Sequence, residues 1–297
     1  MKRLLTIAMS IACLMTPGVG CAPLATPKEP VVPATVQALP SLPSGEELEM
    51  AKLAEVLHSC GLSDHHLAPL FQDREVGTAY VLSIPGKQAV STWRLLRAIV
   101  EKTGYYPVLL GYDEGKTAHL QTVQDIREPI GQILETANGV DPSAWLQHRA
   151  ANDPEGYRIE PAEWPNNQPA NNDFLIPRDV LTQRPLPIVW IALLPTQVPW
   201  EVPALLRFGG WNECSEPALH VALMKRWHAR YGAEVVGVSG DVVEMRVSRL
   251  PSDRAQALAL AREQFLYCPD LVYQGVGSVE ALAATLLGSH VWYFWWD

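Results

Sequence analysis

The chain has 297 residues, of which 48% are apolar, and its formal net charge is −9. That apolar content is enough for one large or two ordinary domains with buried cores. The acidic balance and the lack of a Lys/Arg cluster argue against nucleic acid as a partner.

The first 21 residues predict an export signal. Lys2 and Arg3 precede an apolar run from Leu4 to Met15, which is too short to span a bilayer. Gly18-Val-Gly20 then leads to Cys21 in a lipobox-like order, so Cys21 is the expected lipidation site. We therefore expect an exported lipoprotein whose lipid anchors it in the cell membrane or the outer membrane. The alternative is ordinary cleavage, which would leave a periplasmic or extracellular protein.

Residues 22–44 predict a tether, because they contain six prolines and almost no charge. Residues 45–150 follow as a smaller N-terminal α/β region. Its first helix starts at Ser44, with Glu47 at capping-box spacing, and stops before Gly61. The remaining patterns predict a parallel βαβ unit and two more helices: strand 78–84, helix 88–102, strand 107–110, and helices at 122–137 and 142–150.

Residues 151–187 are rich in Pro and Asn and show no clear periodicity, which is typical of a linker or a functional loop. The C-terminal domain, residues 188–297, has sharper patterns. They predict strand 188–194, helix 217–231, strands 234–238 and 242–247, helix 252–267, helix 278–287 and strand 291–296. This order predicts an α/β (α+β) fold with a ferredoxin-like βαββαβ domain that contains one inserted helix.

The aromatic C-terminus raises a packing question. Trp292, Phe294 and Trp296 alternate with Tyr293 and Trp295, so the two sets should lie on opposite faces of the last strand. A ferredoxin-like domain covers one face with its own helices. The other face needs cover from the N-terminal half, or else it is an exposed patch that binds a partner.

Several segments of the C-terminal domain resemble the bacterial domain-of-unknown-function family 4253. They are the run Phe208-Gly-Gly-Trp-Asn-Glu-Cys214, His220, Trp227 to Glu234, Asp241 to Glu244, Leu260-Ala-Arg-Glu263, Tyr267-Cys-Pro-Asp270, Gln274 and the final Trp292-Tyr-Phe-Trp-Trp-Asp297. The resemblance covers about residues 190–297. It implies a unit that occurs as a whole, and it implies no reaction.

The predicted topology would bring the polar residues of this domain to one end, beside the turn at Asp241. The residues expected there are Cys214, His220, Asp241, Cys268, Asp270, Gln274 and His290. Three interpretations of this cluster remain open. They are a disulfide between Cys214 and Cys268, a metal site of Cys, His and Asp ligands, and a catalytic Cys–His pair oriented by Asp270 or Asp241.

Within the third interpretation, the catalytic candidates are His220, Cys268 and Asp270. The remaining residues of the cluster would bind the substrate. Glu244 and Arg246 are weaker binding candidates, because their alternation with apolar neighbours places them on the non-core face of the sheet. No pattern indicates a cofactor. We expect a non-catalytic envelope protein that binds a protein or ligand, and the alternative is a hydrolase-like enzyme with a Cys/His/Asp site.

Overall fold

The computed structural model describes residues 44–62, 66–111, 128–152 and 161–297, with side chains from residue 49 onward. The chain divides into two compact units, Met1–Ser63 and Asp64–Asp297. The strands in the described ranges are β1 Leu67–Asp73, β2 Gly77–Pro85, β3 Tyr106–Gly111, β4 Ile188–Leu194, β5 Glu234–Ser239, β6 Val242–Arg246 and β7 Val291–Trp295.

The α-helices of the same ranges are α1 Ser44–Ser59, α2 Ala89–Ala98, α3 Val100–Thr103, α4 Ile130–Gly139, α5 Pro142–Asn152, α6 Val202–Leu205, α7 Pro217–Tyr231, α8 Arg254–Tyr267 and α9 Val279–Leu286. A 3₁₀ turn, Gly86–Gln88, precedes α2, and a π-helix, Leu271–Val276, lies between α8 and α9. None of these described helices combines the length and the apolar character needed to cross a membrane.

Helix α1 ends as the sequence predicts. Gly61 adopts a left-handed conformation with φ of 79°, which glycine reaches without a Cβ clash. The N–H of Leu62 then donates to the carbonyl of Leu57 at 2.9 Å, so the last turn of the helix is closed.

The strands of the second unit form one seven-stranded sheet in the order β1-β2-β4-β3-β5-β6-β7. Neighbouring strands are antiparallel except β3 and β5, which are parallel. Strands β2 and β3 both run antiparallel to β4 and are therefore parallel to each other, as the predicted βαβ unit requires. Strand β4 lies between them.

The mixed α and β architecture and the order of elements in the C-terminal part are confirmed, but the ferredoxin-like strand order is wrong. Strands β5, β6 and β7 form a meander, and β3 from the N-terminal region separates β4 from β5. All six residues of β3 are buried. A strand that is apolar throughout needs a neighbour on each edge and cover on both faces, which the centre of the sheet provides.

This strand order reverses two expected directions. Strand β4 ends where β5 begins, because β3 is antiparallel to β4 and parallel to β5. The turn at Asp241 therefore lies at the other end of the sheet from the end of β4. Strand β7 finishes beside that turn, since Trp295 pairs with Val242. We predicted that β4 would end and β7 would begin next to Asp241, and both expectations are wrong.

One face of the β5–β7 meander is covered by the long helices. The ring of Trp227 on α7 stacks on Phe294 of β7, with centroids 5.5 Å apart and planes 2° apart. Trp292 and Trp296 are buried on this same side. We predicted that the terminal aromatic residues alternate between two faces of the last strand. Trp292, Phe294 and Trp296 share one face and lie in the core under α7 and α8.

The opposite face is covered mainly by residues 161–187, which we call the strap. The backbone N–H groups of Leu175 and Ile176 donate to the Glu244 carboxylate, and the N–H of Val291 donates to the carbonyl of Asn171 at 3.1 Å. Helix α2 also contributes, because its Trp93 lies against Phe174 of the strap, with ring centroids 6.4 Å apart. The described part of the Pro/Asn-rich segment thus packs on the second unit through Phe174 and Ile176, which are buried. Residues 153–160 of that segment lie outside the described residues.

Candidate functional site

Six of the predicted site residues come together at the end of the sheet that carries the Asp241 turn. Helix α7 begins there and helix α8 ends there, which brings Cys214 and His220 beside Tyr267 and Cys268. The terminal strand closes the same end, because the Trp296 N–H donates to the carbonyl of Asp241. His290 is the exception and is described below.

His220, the fourth residue of α7, is the centre of this cluster, and its side chain is fully buried. Its Nδ1 lies 2.5 Å from the hydroxyl oxygen of Tyr267, and its Nε2 lies 3.5 Å from the sulfur of Cys214. The three side chains form a continuous chain from thiol to imidazole to phenol. We refer to it as the Cys–His–Tyr chain.

Tyr267 occupies the position at His220 that we predicted for Asp270 or Asp241. Tyr267 is not among the site residues that the sequence predicts. The available signal was its place as the last residue of a predicted helix, directly before Cys268.

The loop before α7 presses its backbone against the His220 ring. Gly209 has φ of 113°, and a Cβ at this position would lie 2.6 Å from Nε2 of His220 and 2.0 Å from the carbonyl oxygen of Ser215. Only glycine fits here, on both conformational and steric grounds. The next N–H, of Gly210, donates to the Ser215 carbonyl at 2.9 Å, so the loop folds back on itself around Cys214.

Aromatic rings enclose the imidazole on its remaining sides. The His220 ring centroid lies 5.3 Å from Phe208 and 5.5 Å from Trp296, and Tyr267 and Trp296 are 5.2 Å apart. These residues are all essentially inaccessible to solvent. The Cys–His–Tyr chain therefore lies in a medium of low polarity.

This enclosure favours the neutral form of each member. Burial lowers the pKa of His220 to about 3, with a smaller opposing effect from the Ser215 backbone. Burial also raises the pKa of the Cys214 thiol and of the Tyr267 phenol well above their usual values. At neutral pH the chain consists of a thiol, a neutral imidazole and a phenol.

Cys268 is buried beside this chain but has a different partner. Its thiol donates to the carbonyl of Trp295 at 2.9 Å, and burial raises its pKa to about 12. Cys214 and Cys268 are close enough that ionisation of one opposes ionisation of the other. The proposed disulfide is not formed in the structure, where both residues are free thiols.

The predicted polar residues of this end that lie outside the core hold the C-terminus of the chain. Asp270 accepts from the N–H of Asp297 at 3.1 Å and from Gln274 Nε2 at 2.9 Å. Asp241 accepts from the indole N–H of Trp295 at 3.0 Å. These contacts give Asp241, Asp270 and Gln274 a structural role in fixing the final strand.

His290 lies at the opposite end of the sheet, so its predicted place in the cluster is wrong. It precedes β7, and β7 begins where β6 ends. Its Nδ1 is 3.0 Å from the carbonyl of Val247, and its N–H donates to the Asn172 side chain at 2.9 Å.

Glu244 and Arg246 lie on the other face of the sheet from the Cys–His–Tyr chain. Glu244 is fully buried and accepts from the N–H groups of Leu175 and Ile176 at 2.5 and 3.1 Å. Arg246 forms an ion pair with Glu234 at 2.7 Å, and its guanidinium lies 5.5 Å from the centroid of Trp93. Neither residue belongs to the predicted cluster.

The metal interpretation has no geometric support in the part of the chain that the structure describes. No three His, Cys, Asp or Glu side chains there are arranged to hold a metal ion. Cys214 and His220 are close together, but the third neighbour of this pair is the phenol of Tyr267.

The resemblance to a known family covers the part of the chain that contains this site. Residues 190–297 match the family described as Domain of unknown function (DUF4253). The match spans β4 to the C-terminus and leaves the N-terminal part of the chain outside it. No curated protein and no solved structure matches the chain.

Several of the residues through which the DUF4253 region resembles its family form or enclose the Cys–His–Tyr chain. Five of these aromatic residues are almost completely buried: Phe208, Trp227, Tyr267, Phe294 and Trp296. Glu263, from the same set, accepts hydrogen bonds from Trp227 and Arg226 and ties α8 to α7. This aromatic part of the resemblance is thus a set of packing residues around the Cys–His–Tyr chain.

Proposed function

We propose that this protein is a non-catalytic lipoprotein of the bacterial cell envelope whose folded part binds another protein. One observation carries the proposal. The buried side chains of the DUF4253 region around Cys214 and His220 form a closed core in which the imidazole is neutral. A site that acts on a substrate needs at least one reactive group that the substrate can reach.

The ionisation of the core supports the same conclusion. A catalytic cysteine reacts as its thiolate, and its pKa is lowered at sites built for that purpose. The pKa of Cys214 is shifted in the opposite direction. A general base at neutral pH needs a pKa near 7, whereas His220 has a pKa of about 3.

The envelope location rests on the sequence. Lys2, Arg3, the apolar run to Met15 and the lipobox-like approach to Cys21 favour export and lipid attachment. The proline-rich segment 22–44 suits a spacer between a lipid and a folded domain. Residues 1–43 lie outside the part of the chain that the structure describes.

A second function, a hydrolase-like enzyme, is favoured by one contact. The Cys214 sulfur lies 3.5 Å from Nε2 of His220, which is close to the arrangement of a nucleophile and its base. For this pair to act, the loop from Phe208 to Ser215 would have to open and admit both water and substrate.

Alkylation of the folded protein distinguishes the two functions. The purified chain is treated with iodoacetamide at pH 7.5, and each cysteine-containing peptide is followed by mass spectrometry. Cys60 is half-buried and serves as the internal reference. We expect Cys60 to react first, and Cys214 and Cys268 to react only after unfolding in guanidinium chloride. If Cys214 instead reacts faster than Cys60 in the folded protein, and His220→Gln slows it, the enzyme is the correct function.

A further inference from the structure

The strap carries exposed apolar side chains that the core does not use. Five large apolar residues of the described chain are exposed, and three of them, Val180, Leu181 and Ile188, lie within nine residues of one another. Leu181 is the most exposed of the five, at 79%, and Val180 is exposed at 55%. Both are at the tip of a hairpin formed by Pro177–Leu186, which we call the strap hairpin.

The strap hairpin is held together by its own hydrogen bonds. The carboxylate of Asp179 accepts from the N–H and the hydroxyl of Thr182 at 2.7 and 2.8 Å. The N–H of Asp179 donates to the Arg184 carbonyl at 2.9 Å, and the N–H of Leu186 donates to Pro177 at 3.0 Å. The polar groups of the turn thus satisfy one another, and the two apolar side chains are presented on an ordered backbone.

Both ends of the strap hairpin are fixed to the sheet. On one side, the buried Glu244 carboxylate binds the N–H groups of Leu175 and Ile176, directly before the hairpin. On the other side, the backbone of Leu186 packs so closely on Gly86 that a Cβ there would lie 2.1 Å from the Leu186 oxygen. An apolar tip that is fixed before binding loses little conformational entropy when it docks.

The charge of the hairpin differs from that of the whole chain. Its charged residues are Arg178, Asp179 and Arg184, which give the hairpin a net charge of +1. The net charge of the whole chain is −9. Arg184 is exposed. A partner surface with carboxylates would be attracted to this hairpin and repelled by most of the rest of the protein.

From this geometry we infer that the strap hairpin is a docking surface for a protein that offers an apolar pocket bordered by carboxylates, with Leu181 as the anchor. The inference rests on the proposed function, since it names the surface and the chemistry through which the protein binds. A lipid surface is the less suitable occupant, because two apolar side chains supply little insertion energy and one net positive charge adds little attraction to anionic lipid.

Photocrosslinking in the living bacterium tests the surface directly. The full chain is produced with benzoylphenylalanine at position 181, or at position 95 as a matched control, because Leu95 is also an exposed leucine (52%) but lies on α2. We expect a discrete protein adduct at position 181 and none at position 95. Adding Arg184→Glu to the 181 variant should remove most of that adduct.

The partner identified in the adduct is then purified, and its affinity for the full chain is measured. We expect Leu181→Asp to weaken binding by at least about tenfold, and Leu95→Asp to leave it unchanged. A lipid adduct at position 181, equal protein adducts at both positions, or an unchanged affinity of Leu181→Asp would each overturn the docking surface. A partner captured elsewhere on the chain would overturn this inference and leave the proposed function in place. The proposed function has its own test, the reactivity of Cys214.

Discussion

The Cδ1 atom of Ile176 occupies the space that a side chain on Gly237 would need. A Cβ at Gly237 would lie 2.6 Å from Cδ1 of Ile176 and 3.2 Å from the Leu109 carbonyl oxygen. The strap is therefore fitted to the sheet at a position where strand β5 has no side chain. The neighbouring Glu244 carboxylate holds the backbone of the same strap residue.

Gly237→Ala should destabilise the protein by about 1–3 kcal/mol, because the added methyl group displaces Ile176 from a packed site. Ile176→Val removes Cδ1 and should cost about 0.5–1.5 kcal/mol by itself. In the double variant the clash is relieved, so its loss of stability should be smaller than the sum of the two single losses. Urea unfolding of the four proteins measures this coupling, and strictly additive losses would contradict the fit described above.

Glu244 should make stability depend on pH near neutrality. Burial raises its pKa to about 7, and the N–H groups of Leu175 and Ile176 and the charge of Arg178 only partly oppose this shift. The folded pKa lies above the unfolded value. The stabilisation from protonated Glu244 is therefore complete below about pH 4.5 and is lost as the pH rises to about 7.

We expect the free energy of unfolding of the wild type to fall by up to roughly 3 kcal/mol between pH 5 and pH 8. Glu244→Gln is the matched control, because it keeps the shape and removes the titration. The free energy of unfolding of Glu244→Gln should be lower than that of the wild type, since an amide cannot accept from both N–H groups. The comparison is therefore between the slopes of the free energy of unfolding against pH. Tyr293 is the other titratable group beside Glu244, and burial raises its pKa well above this range. Parallel pH profiles for the two proteins would show that Glu244 is not the responsible group.

Much of the C-terminal part could be predicted because its signals are local. Helix α7 and strand β4 have the predicted bounds, since a run of apolar residues at helical spacing and a short apolar strand are visible in the sequence itself. The order of strands could not be predicted in this way. Strand β3 comes from the N-terminal region and inserts between β4 and β5, and no pattern within residues 188–297 indicates that insertion.

The same contrast between local signals and strand order explains which site residues are predicted correctly. Cys214 and His220 lie together as predicted, and the wrong strand order does not affect this pair because six positions separate them at the start of α7. His290 was misplaced because its position depends on the direction of β7, which the meander reverses. The sequence of the strap predicts a linker or loop, because it has no periodicity. Its order comes from contacts with distant residues such as Glu244 and Ser289.

Tyr267→Phe should destabilise the protein by about 1–3 kcal/mol, because it removes the partner of a buried imidazole nitrogen. His220→Gln should also destabilise it. The double variant should lose less than the sum of the single losses, since the two residues contribute through the same hydrogen bond. Thermal unfolding of the four proteins tests this. If Tyr267→Phe keeps the melting temperature of the wild type, His220 does not need a hydrogen bond from the phenol. The Cys–His–Tyr chain would then not stabilise the fold.

Cys21→Ala should abolish lipid attachment. The exported chain would then lack the thiol that receives the lipid, so metabolic labelling with palmitate should disappear and the precursor should accumulate with its signal segment. Cys60→Ala is the matched control and should be labelled like the wild type, because it removes a cysteine from the folded part alone. Separation of membranes from soluble proteins should show the wild type and Cys60→Ala with the membranes. Equal labelling of Cys21→Ala and the wild type would contradict lipidation at Cys21, and absence of label from both would favour the simple exported form.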